Sequence, residues 1–208
     1  MASFAANKRA NNEPGTQFMY SSGTSNLLMG ILSKSMGPGD YKSYPWRSFF
    51  TPLEISNVTW ERDHAGTYVA SSYLYLSARD LAKIGQLFLN DGKYNNQQII
   101  DAKWLKDSAK PHPYFLEPTR DLRQSESFAY SKHWWLNTAL PQVDGSFKSR
   151  YPALPANAIL ALGHWGQMLV ILPDQKTIIV RTGQDKGKRM NRDEFFSSFM
   201  KAYEQAHP

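Results

Sequence analysis

Met168-Leu-Val-Ile-Leu172 and Thr177-Ile-Ile-Val-Arg181 are two apolar runs held apart by Pro173-Asp174-Gln175-Lys176. Short β-branched runs bounded by proline and polar turn residues read as a hairpin of strands, not as helix. Their unbroken apolar character predicts strands covered on both faces. The fold must therefore place a layer on each side of this sheet. One layer follows directly: from Asn191 to Ala206, Phe195, Phe196, Phe199, Met200 and Tyr203 mark the packing side of a helix.

The first half of the chain has a different period. An apolar run from Asn26 predicts a helix from Ser22 or Thr24 to Ser35, stopped by Gly37-Pro38-Gly39. A short helix over Tyr44–Phe50 follows. Ser77 offers an N-cap oxygen with Asp80 in the capping-box position, and Leu81, Ile84, Leu87 and Phe88 form one apolar face ended by Asp91-Gly92. Asp101 caps a further helix through Ala109, and the polar, proline-bearing stretch Pro111–Ser127 reads as a long surface loop. From Phe128 strands take over, with Phe128–Leu136 and Ala158–Leu162 preceding the hairpin. The expected class is α+β. Residues 1–13 read as disordered or linker, 14–127 as a mainly helical lobe, and 128–208 as an antiparallel sheet with a C-terminal helix.

Composition excludes several functions. The 208 residues contain no cysteine, and the five histidines lack metal-ligand spacing, so neither metal nor cofactor is expected. The net charge of +6 is scattered among acids, as in Arg79-Asp80 and Arg192-Asp193-Glu194, and clusters only at Lys186–Arg189. That pattern argues against nucleic acid as a partner. No apolar run is long enough for a membrane span, and the start Met-Ala-Ser-Phe-Ala-Ala-Asn-Lys does not read as a signal peptide. Aromatic residues, at 13%, are sufficient both for a large core and for a lined cleft.

Two segments carry chemistry. Tyr20-Ser21-Ser22 stands at the mouth of a helix, where Tyr20 and Ser22 project toward one site from an extended turn. Taken alone, such a segment is most often an N-cap beside a packed ring. Gly163-His164-Trp165-Gly166-Gln167 lies between two strands, and its glycines allow close approach of another backbone or a substrate carbonyl. His164 can supply a proton or positive charge there, and the Gln167 amide can face a developing oxyanion. The bland alternative is a hairpin cap with a surface tryptophan.

In combination these segments resemble the serine β-lactamase-like superfamily, which includes class C β-lactamases, D-aminopeptidases, carboxylesterases and nylon-oligomer hydrolases. The likeness runs from Pro14 onward. It passes through Tyr20-Ser-Ser22 and Leu27-Leu28-Met-Gly30-Ile, the helix Ser77–Gly92, Trp134-Trp135, Gly163–Gln167 and Val180-Arg-Thr-Gly183. It implies a partial β-lactamase-like fold and a serine that attacks an ester or amide carbonyl to form an acyl-enzyme. By the same resemblance Tyr20 shuttles the proton, Ser22 holds the polar second position and His164 the cationic one. Trp165, Gly166 and Gln167 line the substrate, with the Gln167 amide as one arm of the oxyanion hole. A small-molecule or peptide-like ester or amide is the implied substrate, and His164 in place of lysine fits the esterase, aminopeptidase and amidase branches.

One family motif is displaced. The only Ser-x-x-Lys in the chain is Ser198-Phe-Met-Lys201, in the final helix, whereas the family carries its copy upstream of the tyrosine. The chain is therefore expected to be the C-terminal portion of such a hydrolase, inactive by itself, with an open sheet edge and an apolar helical face that pair with an upstream half or a second copy. The alternative is a binding module or relic that keeps the cleft. A scaffold with an unrelated role, its motifs being mere caps and turns, ranks last.

Overall fold

Ser77 and Asp101 start helices where the sequence places them. The Asp80 amide donates to Ser77 Oγ at 3.0 Å while the Ser77 hydroxyl donates to the Asp80 carboxylate at 2.8 Å. Asp101 accepts from the Trp104 amide at 2.8 Å. Each cap satisfies an otherwise unpaired N–H of a first helical turn. In the computed structural model, which describes residues 1–118, 128–187 and 190–207, the helices are α1 (Ala2–Ala6), α2 (Ser22–Met36), α3 (Pro38–Pro45), α4 (Ala78–Leu89), α5 (Ala102–Ser108) and α6 (Arg192–Ala206). A π-helical turn (Trp46–Phe50) continues α3.

A five-stranded antiparallel sheet contains β5 (Ala129–Ser131), β6 (Trp134–Leu136), β9 (Ile159–Leu162), β10 (Met168–Leu172) and β11 (Thr177–Arg181) in the order β11-β10-β9-β6-β5. Two-residue strands form three small hairpins beside it: β1 (Thr59–Trp60) with β2 (Leu74–Tyr75), β3 (Lys93–Tyr94) with β4 (Gln97–Gln98), and β7 (Leu140–Pro141) with β8 (Phe147–Lys148). Strand β10 is buried along its whole length. Its Met168, Val170 and Leu172 pack with Phe196 and Met200 of α6, while Leu169 and Ile171 pack on the other face with Leu81 and Phe88 of α4. At about 1.5–3 kcal/mol for each large apolar side chain buried, this strand anchors the α/β/α sandwich. A second core of Phe50, Leu53, Ile55, Leu87 and Leu105 fills the helical part.

The mixed class, α2, the two capped helices, the terminal hairpin and α6 follow the sequence reading, and four details differ. First, the expected linker over residues 1–13 is helical over Ala2–Ala6. Gly30 makes room for it, since a Cβ there would lie 2.5 Å from that of Ala2. Second, Phe128–Leu136 is a hairpin instead of one strand. Lys132 and His133 turn the chain at φ 41° and 73°, and pairing Tyr130 with Trp135 across that turn offsets the left-handed geometry. Third, β11 is only half-buried because it is an edge strand. Fourth, the expected loop after Pro111 includes a 3₁₀ turn at Pro113–Leu116 that buries Phe115 completely; residues 119–127 of that stretch, and Lys188 and Arg189 of the basic cluster, lie outside the described residues. No described helix is long and apolar enough to cross a membrane.

Candidate active site

The approach to α2 is an extended strap fixed by aromatic rings. Phe18 packs against Phe115 and Tyr130 at centroid distances of 4.9 and 5.1 Å. Two residues on, Tyr20 stacks on Trp135 at 5.2 Å and 24° and meets Tyr130 edge-on at 5.7 Å. The period of two along the strap puts both rings on the sheet side and leaves the Tyr20 edge in solvent, where the residue is 60% exposed. Ser21 takes the N-cap position of α2 in extended geometry (φ −135°, ψ 121°), and Ser22 is the first helical residue.

Tyr20 and Ser22 line one cavity of about 550 Å³. Its other walls are Thr24 and Ser25 of α2, Ala70 and Ser71, and Tyr130, Lys132 and His133 of the β5–β6 hairpin. Asn26 joins two of these walls from inside. It is 6% exposed, accepts the Ala70 amide at 3.0 Å and donates to Ser71 Oγ at 3.3 Å. Burial raises the Tyr130 hydroxyl well above the usual phenol value, and the neighbouring Tyr20 raises it further. Tyr130 is therefore a neutral hydrogen-bonding wall at physiological pH.

The second motif is a tight turn. His164–Gly166 form a single 3₁₀ turn between β9 and β10, with Trp165 in the left-handed region at φ 53°. His164 is exposed and its ring lies 4.7 Å from that of Trp165. Arg181 donates to the Gly166 carbonyl at 2.6 Å, and a Cβ on Gly166 or on Gly183 would strike its guanidinium at 2.4 or 2.3 Å. The Gln167 side chain grips Gly183 twice, accepting its amide at 3.0 Å and donating to its carbonyl. The Gln167 backbone amide, assigned to an oxyanion hole on sequence grounds, donates to the His164 carbonyl at 3.4 Å. That contact is long for an N–H···O bond.

Register places the two motifs at one end of the sheet. Trp135 pairs with Leu160 and Met168 with Leu162, so the Lys132-His133 turn and the His164 turn cap neighbouring strand pairs on the same side. His164, Trp165, Gly166 and Gln167 do not line the cavity that holds Tyr20 and Ser22.

The sequence model of the family described as Beta-lactamase matches residues 1–195. The chain belongs to the Beta-lactamase family. Among solved structures it is similar to a putative 6-aminohexanoate-dimer hydrolase from Bacillus anthracis (24% identity, TM-score 0.72), covering 98% of this chain and 47% of that one. It is also similar to a beta-lactamase from Mycobacterium bovis (15%, 0.66, covering 94% and 67%) and to simvastatin synthase from Aspergillus terreus (13%, 0.64, covering 95% and 57%). At these identities the likeness is one of fold. The chain spans about half the length of the Bacillus anthracis hydrolase. A comparison with curated proteins gave no match.

Within this Beta-lactamase-family fold, Ser198 lies on the exposed side of α6. Sequence reading passed over Asn26, Ser71, Lys132 and His133. Asn26 had one signal, a polar residue opening an otherwise apolar helical run. The described residues contain no group of three or more His, Asp or Glu placed to hold a metal.

Proposed function

We propose that these 208 residues are the C-terminal portion of a serine hydrolase that cleaves an ester or amide, with the nucleophile supplied from outside them. The observation that carries the reading is the shared cavity of Tyr20 and Ser22, set at the same end of the sheet as His164. In this reading Tyr20 acts as the phenolate, held in that form by the lysine that comes with the nucleophile in Ser-x-x-Lys; the serine hydroxyl adds to the substrate carbonyl as its proton passes to the Tyr20 oxygen. The tetrahedral oxyanion collapses, expelling an alcohol or amine that takes that proton, and water repeats the sequence to release the acid. His164 contributes positive charge beside the carbonyl, Trp165 and Gly166 border the leaving group, and the long Gln167–His164 bond exchanges for a stronger one to the oxyanion. The outer edges β11 and β5, and α2 residues Leu28 and Ile31 (52% and 56% exposed), are where an upstream half or a second copy would pair.

The 208-residue chain alone is expected neither to hydrolyse p-nitrophenyl esters nor to be labelled by a fluorophosphonate. Stoichiometric labelling of any of its serines would end this view. In a chain extended upstream through an in-frame Ser-x-x-Lys, Tyr20→Phe should lower the acylation rate about 10²–10⁴-fold with the fold intact. A second reading, a binding module that keeps the cleft, is favoured by the absence of His164 from the cavity wall. It gains if the extended chain binds acyl compounds and turns none over.

A further inference from the structure

One wall of the Tyr20 cavity is backbone held in place by side chains. Residues 68–70 are gripped in turn by three different elements. Tyr41 of α3 accepts the Tyr68 amide on its hydroxyl at 2.8 Å, and Trp60 of β1 donates its indole N–H to the Val69 carbonyl at 2.9 Å. Asn26 of α2 accepts the Ala70 amide at 3.0 Å. The next residue, Ser71, lines the cavity, so its hydroxyl projects from a fixed point.

The Ala70 contact also decides which way round the Asn26 amide stands. A backbone N–H is met only by an acceptor, so Oδ1 faces Ala70 and Nδ2 faces Ser71. Nδ2 donates to Ser71 Oγ at 3.3 Å and contacts the Met1 sulfur at 3.8 Å. A hydroxyl oxygen that accepts one hydrogen bond becomes the better donor of its own proton. Among the described residues the Ser71 proton meets no acceptor.

We propose that Ser71 recognises the ligand by donating this proton to a carbonyl oxygen, and that Asn26 is the positioning residue that points it. The proposal rests on the cavity being the acyl-binding site of the preceding section and adds the residue that reads the ligand's polarity. Any ligand strips solvent from the hydroxyl, but only a strong acceptor returns a full hydrogen bond.

Hexanamide and hexanethioamide differ little in shape and oppositely in polarity: the thioamide sulfur is the weaker acceptor and its N–H the stronger donor. Titrating the 208-residue chain with each at pH 8, followed by the backbone amide NMR shifts of Tyr20, Ser22 and Ser25, tests the proposal. Hexanamide should bind about three- to tenfold more tightly, the scale of one neutral hydrogen bond. Ser71→Ala should abolish that preference, and Ser71→Thr, which keeps a hydroxyl, should retain it. Asn26→Asp keeps the acceptor for Ala70 but turns the donor facing Ser71 into a second acceptor, which draws the Ser71 proton away from the cavity. The preference should then vanish or pass to the thioamide, whereas a purely structural Asn26 would leave it in place. Asn26→Ala checks the same point without a charge: hexanamide should lose its advantage while hexanethioamide binds as before, and equal weakening of both would reduce Asn26 to a structural part. Equal binding of the two probes by the native chain, or a preference that survives Ser71→Ala, overturns the proposal and leaves the acyl site standing. Failure of both probes to shift these amides overturns both.

Discussion

Two asparagines are buried among the described residues, and they show how differently the halves of the molecule are held. Asn137, fully buried beside the sheet, donates to the carbonyls of Tyr151, Leu154 and Pro155 and accepts the Tyr151 amide, all within 3.1 Å. Asn26, the only buried residue of α2, makes one backbone bond, a 3.3 Å contact to a serine hydroxyl and a 3.8 Å contact to the Met1 sulfur. The sheet half combines an apolar sandwich with a saturated polar knot. The cavity half has a helix with exposed Leu28 and Ile31, held by one amide side chain, a strap of stacked rings and the short α1 seated on Gly30. Groups that must meet a ligand thus sit on the lightly anchored side, where local opening is easiest.

The sharpest way to break this comparison is to delete a large side chain from each half. Phe196→Ala empties a fully buried site under β10 and should cost about 3–5 kcal/mol in urea unfolding. Leu28→Ala on the exposed face of α2 should stay within about 0.5 kcal/mol; a comparable loss there would show that α2 is as firmly packed as the sheet. Next come the asparagines. Asn137→Ala strands several buried backbone groups and should cost about 3 kcal/mol, against about 1 kcal/mol for Asn26→Ala. Amide hydrogen exchange should then show faster opening at Ala70 and in the first turns of α2 for the Asn26 variant, with β10 unchanged.

Smallest is an effect of pH at the surface. Hydrogen bonds from Lys103, then Lys110, hold the Asp107 carboxyl at about 2, below its ordinary 3.8. A carboxyl depressed on folding adds stability that is full above its ordinary value and fades as pH falls toward the folded one. The gap between native chain and Asp107→Asn should therefore be present at neutral pH and close by about pH 2, as read by denaturant midpoints. A gap that persists at the acid end would assign the effect to packing of α5, not to charge.

Much of the sheet half was legible because its signals are local. Met168–Leu172 announces a buried strand, and Ser77 and Asp101 announce helix starts, each within a few residues. The cavity half was legible in its motifs but not in its walls. Lys132-His133 contains neither glycine nor asparagine, so nothing marks the turn that brings it to the rim. The stacking of Tyr20 on Trp135 and the seating of α1 against Gly30 join segments far apart in the chain. Asn26 looked like an ordinary polar residue at a helix start. What escaped the sequence reading are contacts between distant segments, and the cavity is made of those.

Arg181 has a consequence for how this protein can vary. Its guanidinium occupies the space that a side chain on Gly166 or Gly183 would need, and it ties the His164 turn to the end of β11. Random substitution should find Gly166, at φ 86° and against that guanidinium, intolerant, and Trp165, at positive φ, restricted to residues that accept that geometry. His164 is exposed, outside the positive-φ set, and framed on both sides by fixed backbone. A library confined to position 164 could therefore exchange one polar or charged group for another at this end of the sheet and leave the fold untouched, giving a single interchangeable position on an invariant frame.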